Sequence, residues 1–404
     1  MTAHAASHGG PAAPARRATT AMFLANGAAI GSWVAQIPWV QERFDLSRGK
    51  LGLVLVSTSA AVILVVPIAG RAVVKHGSAR MTLLGGIACS LAVMLPVLAP
   101  RPVLVPAGLF VLGASSATMD VAMNSHGVHV EQRLRRPIMS SLHAGWAFGG
   151  MLGAGFAAAL AALDFDARLV AMAASALLLA LVVAAARRLG PGSLAEGERT
   201  PRFTAPSRGI VLLAVLCLLV MLTEGAMASW GGLYLRQDLE ATAALAALAY
   251  AFFTAGMTAG RLVGDRVNQR IGAVALLRLG ALLTAIPLAA MLLIGAPAAA
   301  LAGLFAIGLG VANGVPLIFS AAGRQTDTPS GIAIAAVSSV GSLGFLTGPP
   351  VIGFAAQATS LPWTLASLTL GAVAILALAR HAVGTTPSTA TTPSISECEP
   401  HSAR

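Results

Sequence analysis

The sequence predicts an all-α integral membrane protein whose twelve transmembrane helices form two six-helix halves with the same orientation. Three observations carry that prediction. Of 404 residues, 56% are hydrophobic and only 10% are charged. The apolar residues arrive as separate blocks of helix-spanning length, and the second half of the chain repeats landmarks of the first. A soluble domain carries about 25% charged residues, so this chain lacks a water-compatible surface. A helix of about 20 residues crosses about 30 Å of hydrocarbon, whereas a membrane barrel needs alternating segments of about ten, and no such alternation is present.

Taken in order, the first span lies near 21–40. Arg16 and Arg17 before it resemble the start of an export signal, but no A-x-A cleavage site follows and further spans come behind. The next blocks lie near 51–70, 81–99, 102–126, 138–162 and 168–187, and the second set near 209–235, 244–264, 273–295, 299–322, 331–357 and 362–381. The chain thus divides into a polar tail (1–20), a first bundle (21–187), a connector (188–208), a second bundle (209–383) and a Thr/Ser/Pro-rich tail (384–404). Both tails have too few apolar residues to pack and are expected to be disordered.

Orientation follows from charge. Of 26 Lys and Arg, only Arg43, Arg48, Lys50, Arg101, Arg168 and Arg236 fall in loops on one side, and the other 20 fall on the side of the termini. The positive-inside rule then puts both termini in the cytoplasm and the protein in the cell inner membrane. The formal charge of +11 is spread over these short loops, so no nucleic-acid surface is expected. Cys89 and Cys217 sit in apolar blocks and Cys398 in the tail, which leaves no disulfide framework or CxxC pair.

The repeat has an offset of roughly 190 to 198 residues. G-L-F-V-L-G at Gly108–Gly113 returns as G-L-F-A-I-G at Gly303–Gly308, and Ala69–Arg71 returns at Ala259–Arg261. Ser32-Trp33 answers Ser229-Trp230, and Gly155-Phe156 answers Gly353-Phe354. An even number of spans per half makes the repeat parallel.

This architecture, with a basic glycine-containing loop after span two and again after span eight, resembles the major facilitator superfamily over nearly the whole chain. Gly70, Lys75, Gly77 and Arg80 fit that superfamily's G-x3-D-[RK]-x-G-x-[RK]-[RK] pattern, with Val74 in place of the acid; the second loop keeps Gly260, Asp265 and Arg266. The resemblance implies a gating role for these residues, with the motif's salt bridge expected only in the second half. G-S-W-V-A-Q-I-P (31–38), M-D-V-A-M-N (119–124), R-P-I-M-S-S-L-H (136–143) and E-G-A-M-A-S-W (224–230) are similar to the fucose-permease-like, YbjJ-like branch. Gln36 and Ser229 depart from the basic and acidic residues often found there. The resemblance further implies that Asp120, one turn before Asn124, stands where fucose permease has its proton-coupling glutamate.

The residues themselves point to the same places. Among 15 acids, only Asp120 and Glu224 lie well inside spans, where a charge costs about 2.5–3.5 kcal/mol to insert. Asp120 and Asn124 share one helix face. Counting from the span ends puts Asn26, Asp120 and His143 at similar depth, so a carboxylate–imidazole proton site is expected, the bland alternative being that His143 bonds a helix carbonyl. Glu224 and Asn313 lie at comparable depth in the second half and, with Trp230 and Tyr234, are candidates for substrate binding. Trp33, Trp39, Trp230 and Tyr234 also fit an interfacial aromatic belt without any ligand. Most of the 43 glycines read as helix packing, and Pro67, Pro316 and Pro349-Pro350 as bends.

There is no P-loop, HExxH, GxSxG or metal-spaced cluster, so neither enzymatic activity nor a cofactor is expected. The expected function is secondary active transport of a small solute by a monomer, proton-coupled, with import of a sugar-like polar solute ahead of proton-driven export of amphipathic compounds. A solute sensor that kept the transporter fold is the non-transport alternative, and the short connector argues against it.

Overall fold

The computed structural model describes residues 12–134, 138–190, 207–325 and 330–384. The first half contains α1 (Ala12–Val34), α2 (Ile37–Arg43), α3 (Arg48–His76), α4 (Ser78–Ala92), α5 (Leu95–Leu98), α6 (Val105–Leu134), α7 (Met139–Ala162) and α8 (Ala167–Ala186). The second contains α9 (Arg208–Leu233), a π-helical turn (Tyr234–Asp238), α10 (Ala243–Ile294), α11 (Pro297–Val311), α12 (Gly314–Gly323), α13 (Ser330–Ala358) and α14 (Leu361–Val383). Among the described residues there is no strand. Ten helical segments are long and apolar enough to cross a membrane. The 52-residue α10 reverses at Gly272 and holds two spans, and α1 supplies one more, consistent with twelve.

Prolines set several helix ends. A proline ring collides with the carbonyl four residues earlier. Pro38, Pro96 and Pro316 therefore address Val34, Ala92 and Ala312, and α1, α4 and α11 end at Val34, Ala92 and Val311. Span ten is thus broken at Ala312–Asn313, whereas α3 passes Pro67 and α13 passes Pro349-Pro350 without interruption. Starts are capped by side chains: Ser47, Ser207, Thr242 and Ser360 accept from the amides of Lys50, Ile210, Leu245 and Trp363. Glu131 Oε2 accepts from Ile138 N at 2.6 Å and Met139 N at 3.1 Å, and so anchors the start of α7.

The repeat extends to backbone conformation. Gly77 (φ 86°) turns α3 into α4, and Gly272 (φ 81°) makes the corresponding turn within α10. This corrects the loop boundaries expected from sequence. Gly70 and Lys75 lie in α3, and Gly260, Asp265 and Arg266 lie in α10, so only Gly77 and Gly272 are at the turns themselves. The first helix also starts earlier than expected, at Ala12, because Ala15, Ala18 and Thr19 are buried by neighbours despite Arg16 and Arg17.

Close approach of helices rests on glycine. A Cβ on Gly27, Gly31, Gly149 or Gly153 would strike backbone of the opposite helix, so α1 and α7 pack main chain to main chain. Gly256 and Gly308 do the same for α10 and α11. The halves meet along α3 against α13 and α7 against α10. The glycine contacts of the first pair, Gly49 with Phe354 and Gln357 and Gly52 with Pro349 and Pro350, all fall at one end. Toward the other end, where α3 turns at Gly77, Val62, Ile63, Leu64, Val66 and Ile68 are exposed. The halves are thus closed at the face far from the termini and part toward the termini-bearing face.

Candidate functional site: a chamber between the halves

Two adjoining cavities of about 370 and 210 Å³ lie between the halves. They share Thr58, Ser59, Val62, Ser116, Trp146, Glu224 and Phe345 and form one chamber. Asn26 and Asp120 line it from the first half and Glu224 from the second, so three of the residues expected from sequence come together. The chamber has the size of a small-molecule site.

Asn26 is fixed from two directions. Its Nδ2 donates to Ser116 O at 3.3 Å and lies 3.2 Å from Ser116 Oγ, while its Oδ1 accepts from Trp146 Nε1 at 2.9 Å. One amide therefore ties α1, α6 and α7 and sets the Trp146 ring in the chamber wall. Asn124 Nδ2 donates to Asp120 Oδ1 at 3.1 Å and to the Asp120 carbonyl at 2.9 Å. That uses one carboxylate oxygen, and the Asp120 side chain remains accessible from the chamber. Glu224 makes no hydrogen bond or ion pair among the described residues, but Arg261 on α10 is within electrostatic reach of it.

Other expected residues lie elsewhere. His143 is exposed and sits edge-on to Phe23, ring centroids 5.3 Å apart, and among the described residues no ion pair or hydrogen bond joins it to Asp120. Asn313, at the break in span ten, donates to Gly260 O at 3.0 Å and lines a separate cavity of about 180 Å³. Trp230 is fully buried, and among the described residues its Nε1 has no hydrogen-bond partner. Trp33 and Tyr234 are buried too, with Tyr234 Oη donating to Met291 O at 3.2 Å, so these three face into the protein and form no belt against lipid. Lys75, Arg80, Asp265 and Arg266 are exposed near the termini-bearing face, and among the described residues none is ion-paired, including the pair expected at Asp265. Arg136, within one of the quoted motifs, lies outside the described residues, as do residues 1–11, 191–206 and 385–404 of the tails and connector.

Several residues at the site were not anticipated. Trp146, Tyr250, Phe253 and Phe345 give the chamber aromatic walls. At the far face, Arg48 Nη2 meets Asp238 Oδ2 at 2.9 Å and Arg236 Nε meets Glu42 Oε1 at 2.6 Å. Gln237 Nε2 donates to Gln41 Oε1 at 2.8 Å between them, and Gly49 N donates to Gln357 Oε1 at 3.0 Å. Each half supplies one acid and one base, and Gln41-Glu42 and Gln237-Asp238 are counterparts in the repeat, so this latch lies across the pseudo-twofold axis. Every side-chain hydrogen bond between the halves among the described residues belongs to this layer.

Comparisons with known proteins agree with this architecture. The sequence profile of the Major Facilitator Superfamily matches residues 18–328 and 212–398. An uncharacterized MFS-type transporter of Yersinia pestis is 34% identical over 360 residues, which cover 89% of this chain and 92% of that protein. The membrane protein MosC of Rhizobium meliloti is 32% identical over 343 residues, covering 84% and 83%. Among solved structures, a variant of the nucleoside transporter NupG aligns with a TM-score of 0.76 at 10% identity, covering 91% of this chain and 99% of that one. A bacterial homolog of the human lysosomal transporter Spinster, inward-facing and occupied, aligns with a TM-score of 0.72 at 15% identity, covering 92% and 98%. With the profile matched along both halves and two relatives above 30% identity over most of the chain, the protein belongs to the major facilitator superfamily of membrane transporters.

Proposed function

We propose that the chain carries a small polar solute across the cell inner membrane by alternating access, with its termini in the cytoplasm, and couples that movement to protons at Asp120. The observation that carries this reading is the chamber itself: one acid from each half faces a space that is sealed on the far face and flanked by parted helices on the other. In a membrane interior an unpaired carboxylate is costly, and among the described residues the Asp120 carboxylate has one hydrogen-bond partner, the Asn124 amide on its own helix. Protonation removes that cost. Asp120 would take up a proton when the chamber opens to the side of higher proton concentration and release it on the other. The conformation described is then the inward-facing one, and the basic residues around Gly77 and Gly272 act on exchange between conformations. One chain encloses the whole chamber, which suits a monomer.

The test is Asp120→Asn in proteoliposomes. The variant keeps shape and hydrogen-bonding capacity but cannot titrate, so it should exchange solute across the membrane yet fail to accumulate it against a gradient. Glu224→Gln, if Glu224 holds solute, should weaken binding and exchange together. Accumulation at the parental rate by Asp120→Asn would sink the coupling role. Export of amphipathic compounds is the second reading, favoured by the apolar wall of Val62, Ile63, Val66, Met221 and Leu346; transport assayed in both directions separates the two.

A further inference from the structure

The chamber walls hold two carboxylates and, among the described residues, no lysine, arginine or histidine. Arg261 reaches Glu224 electrostatically from outside the lining. With both carboxylates ionised, two acids and one guanidinium leave one negative charge without a partner, in surroundings where charges are weakly screened. Part of the hydrogen-bonding capacity of the first-half wall is also committed, although the Thr58 and Ser59 hydroxyls line it too. Asn26 is occupied by Ser116 and Trp146, and because the Trp146 N–H is spent on Asn26 Oδ1, the indole offers the chamber its ring and no donor. Trp33, Tyr250, Phe253 and Phe345 add further rings. Carboxylates together with aromatic faces favour a positive charge, through Coulomb attraction and through the ring quadrupole.

Resting on the transport reading above, we propose that the transported solute is an organic monocation, an amine protonated at neutral pH on a compact ring or short apolar frame. Its ammonium group lies between Asp120 and Glu224, and its frame lies against Trp146 and Phe345. A carboxylate or phosphate on the solute would meet charge of its own sign. A neutral hydroxyl would gain hydrogen bonds but leave the extra negative charge unmatched.

The test uses purified full-length protein and thermal melting against matched triplets: glucosamine, glucose and glucuronate, and phenethylamine, phenethyl alcohol and phenylacetate. Binding to the folded state alone raises the midpoint by mass action. In at least one triplet the amine should bind at least about ten-fold more tightly than its alcohol, its trimethylammonium form should also bind, and the carboxylate should give no shift. Glu224→Gln should abolish the amine's advantage, and Asp120→Asn should shrink it while leaving the amine bound, as exchange by that variant requires; should either variant not fold, the trimethylammonium result on the parental protein decides. A leading alcohol or carboxylate, or no amine-selective shift in any triplet, overturns the proposal. Asp120-dependent accumulation of a neutral or anionic solute in vesicles would overturn it while leaving the transport reading intact.

Discussion

Breaking the latch at the far face should change the balance between conformations by a predictable amount. Asp238→Asn removes the charge that holds Arg48, whose Nη2 lies 3.1 Å from Oδ1 and 2.9 Å from Oδ2. The two side chains are 22% and 17% exposed, against 34% and 42% for Arg236–Glu42, so the first pair is screened less by water and contributes more. A fully exposed pair contributes about 0.2–1 kcal/mol, and a hydrogen bond to a charged group about 1.5–3 kcal/mol. A half-buried pair should therefore fall near 1–2 kcal/mol, which is about a 5- to 30-fold change in an equilibrium constant. The assay is a distance distribution between spin labels at Lys50 and Ala243, which lie near the far face on opposite halves. Cys398 would be replaced by serine, while Cys89 and Cys217 are buried and can remain. Asp238→Asn should enlarge the long-distance population by that factor, and Arg48→Asp combined with Asp238→Arg should restore it. Populations unchanged within about two-fold, or a charge swap that restores nothing, would refute the argument that the pair holds this face shut.

Two further substitutions test packing. Gly149→Ala should prevent folding or sharply lower the yield of monodisperse protein, because its Cβ would meet the Leu24 main chain and force α1 and α7 apart; a normal yield and melting point would contradict the backbone-to-backbone contact. Glu131→Ala should lower the melting temperature by the equivalent of about 1–2 kcal/mol, the cost of an uncapped helix start, with Glu131→Gln intermediate, as read by thermal unfolding in detergent.

Spans, repeat and intramembrane acids were legible because each is a one-dimensional property of the chain. Hydrophobic length gives the crossings, and an acid in an apolar block stands out wherever the helix turns. Azimuth was not legible. Asn313 turns toward Gly260 on α10 and lines a cavity apart from the chamber, at the break in the helix at Ala312. Trp230 and Tyr234, candidates for an interfacial belt by sequence, are buried within the protein. His143 packs against Phe23 and does not line the chamber. The latch was hidden for another reason: Arg48 and Arg236 served to orient the chain, and single charges in short loops carry no sign of a partner in the other half. The repeat of Gln41-Glu42 as Gln237-Asp238 was the available signal. Arg261 was visible within the repeated Ala259–Arg261 segment, but its importance depends on helix α10 running to Gly272, which places it well inside the span.

The coupling claim can be tested most directly by recording proton movement itself. Proteoliposomes loaded with a pH-sensitive dye and given no proton gradient should show a pH change inside when a solute that stabilises the purified protein is added outside, and Asp120→Asn proteoliposomes should show none while still exchanging that solute. Uphill or net solute movement with a silent dye in the parental protein, or an unaltered pH signal in Asp120→Asn, would contradict the account.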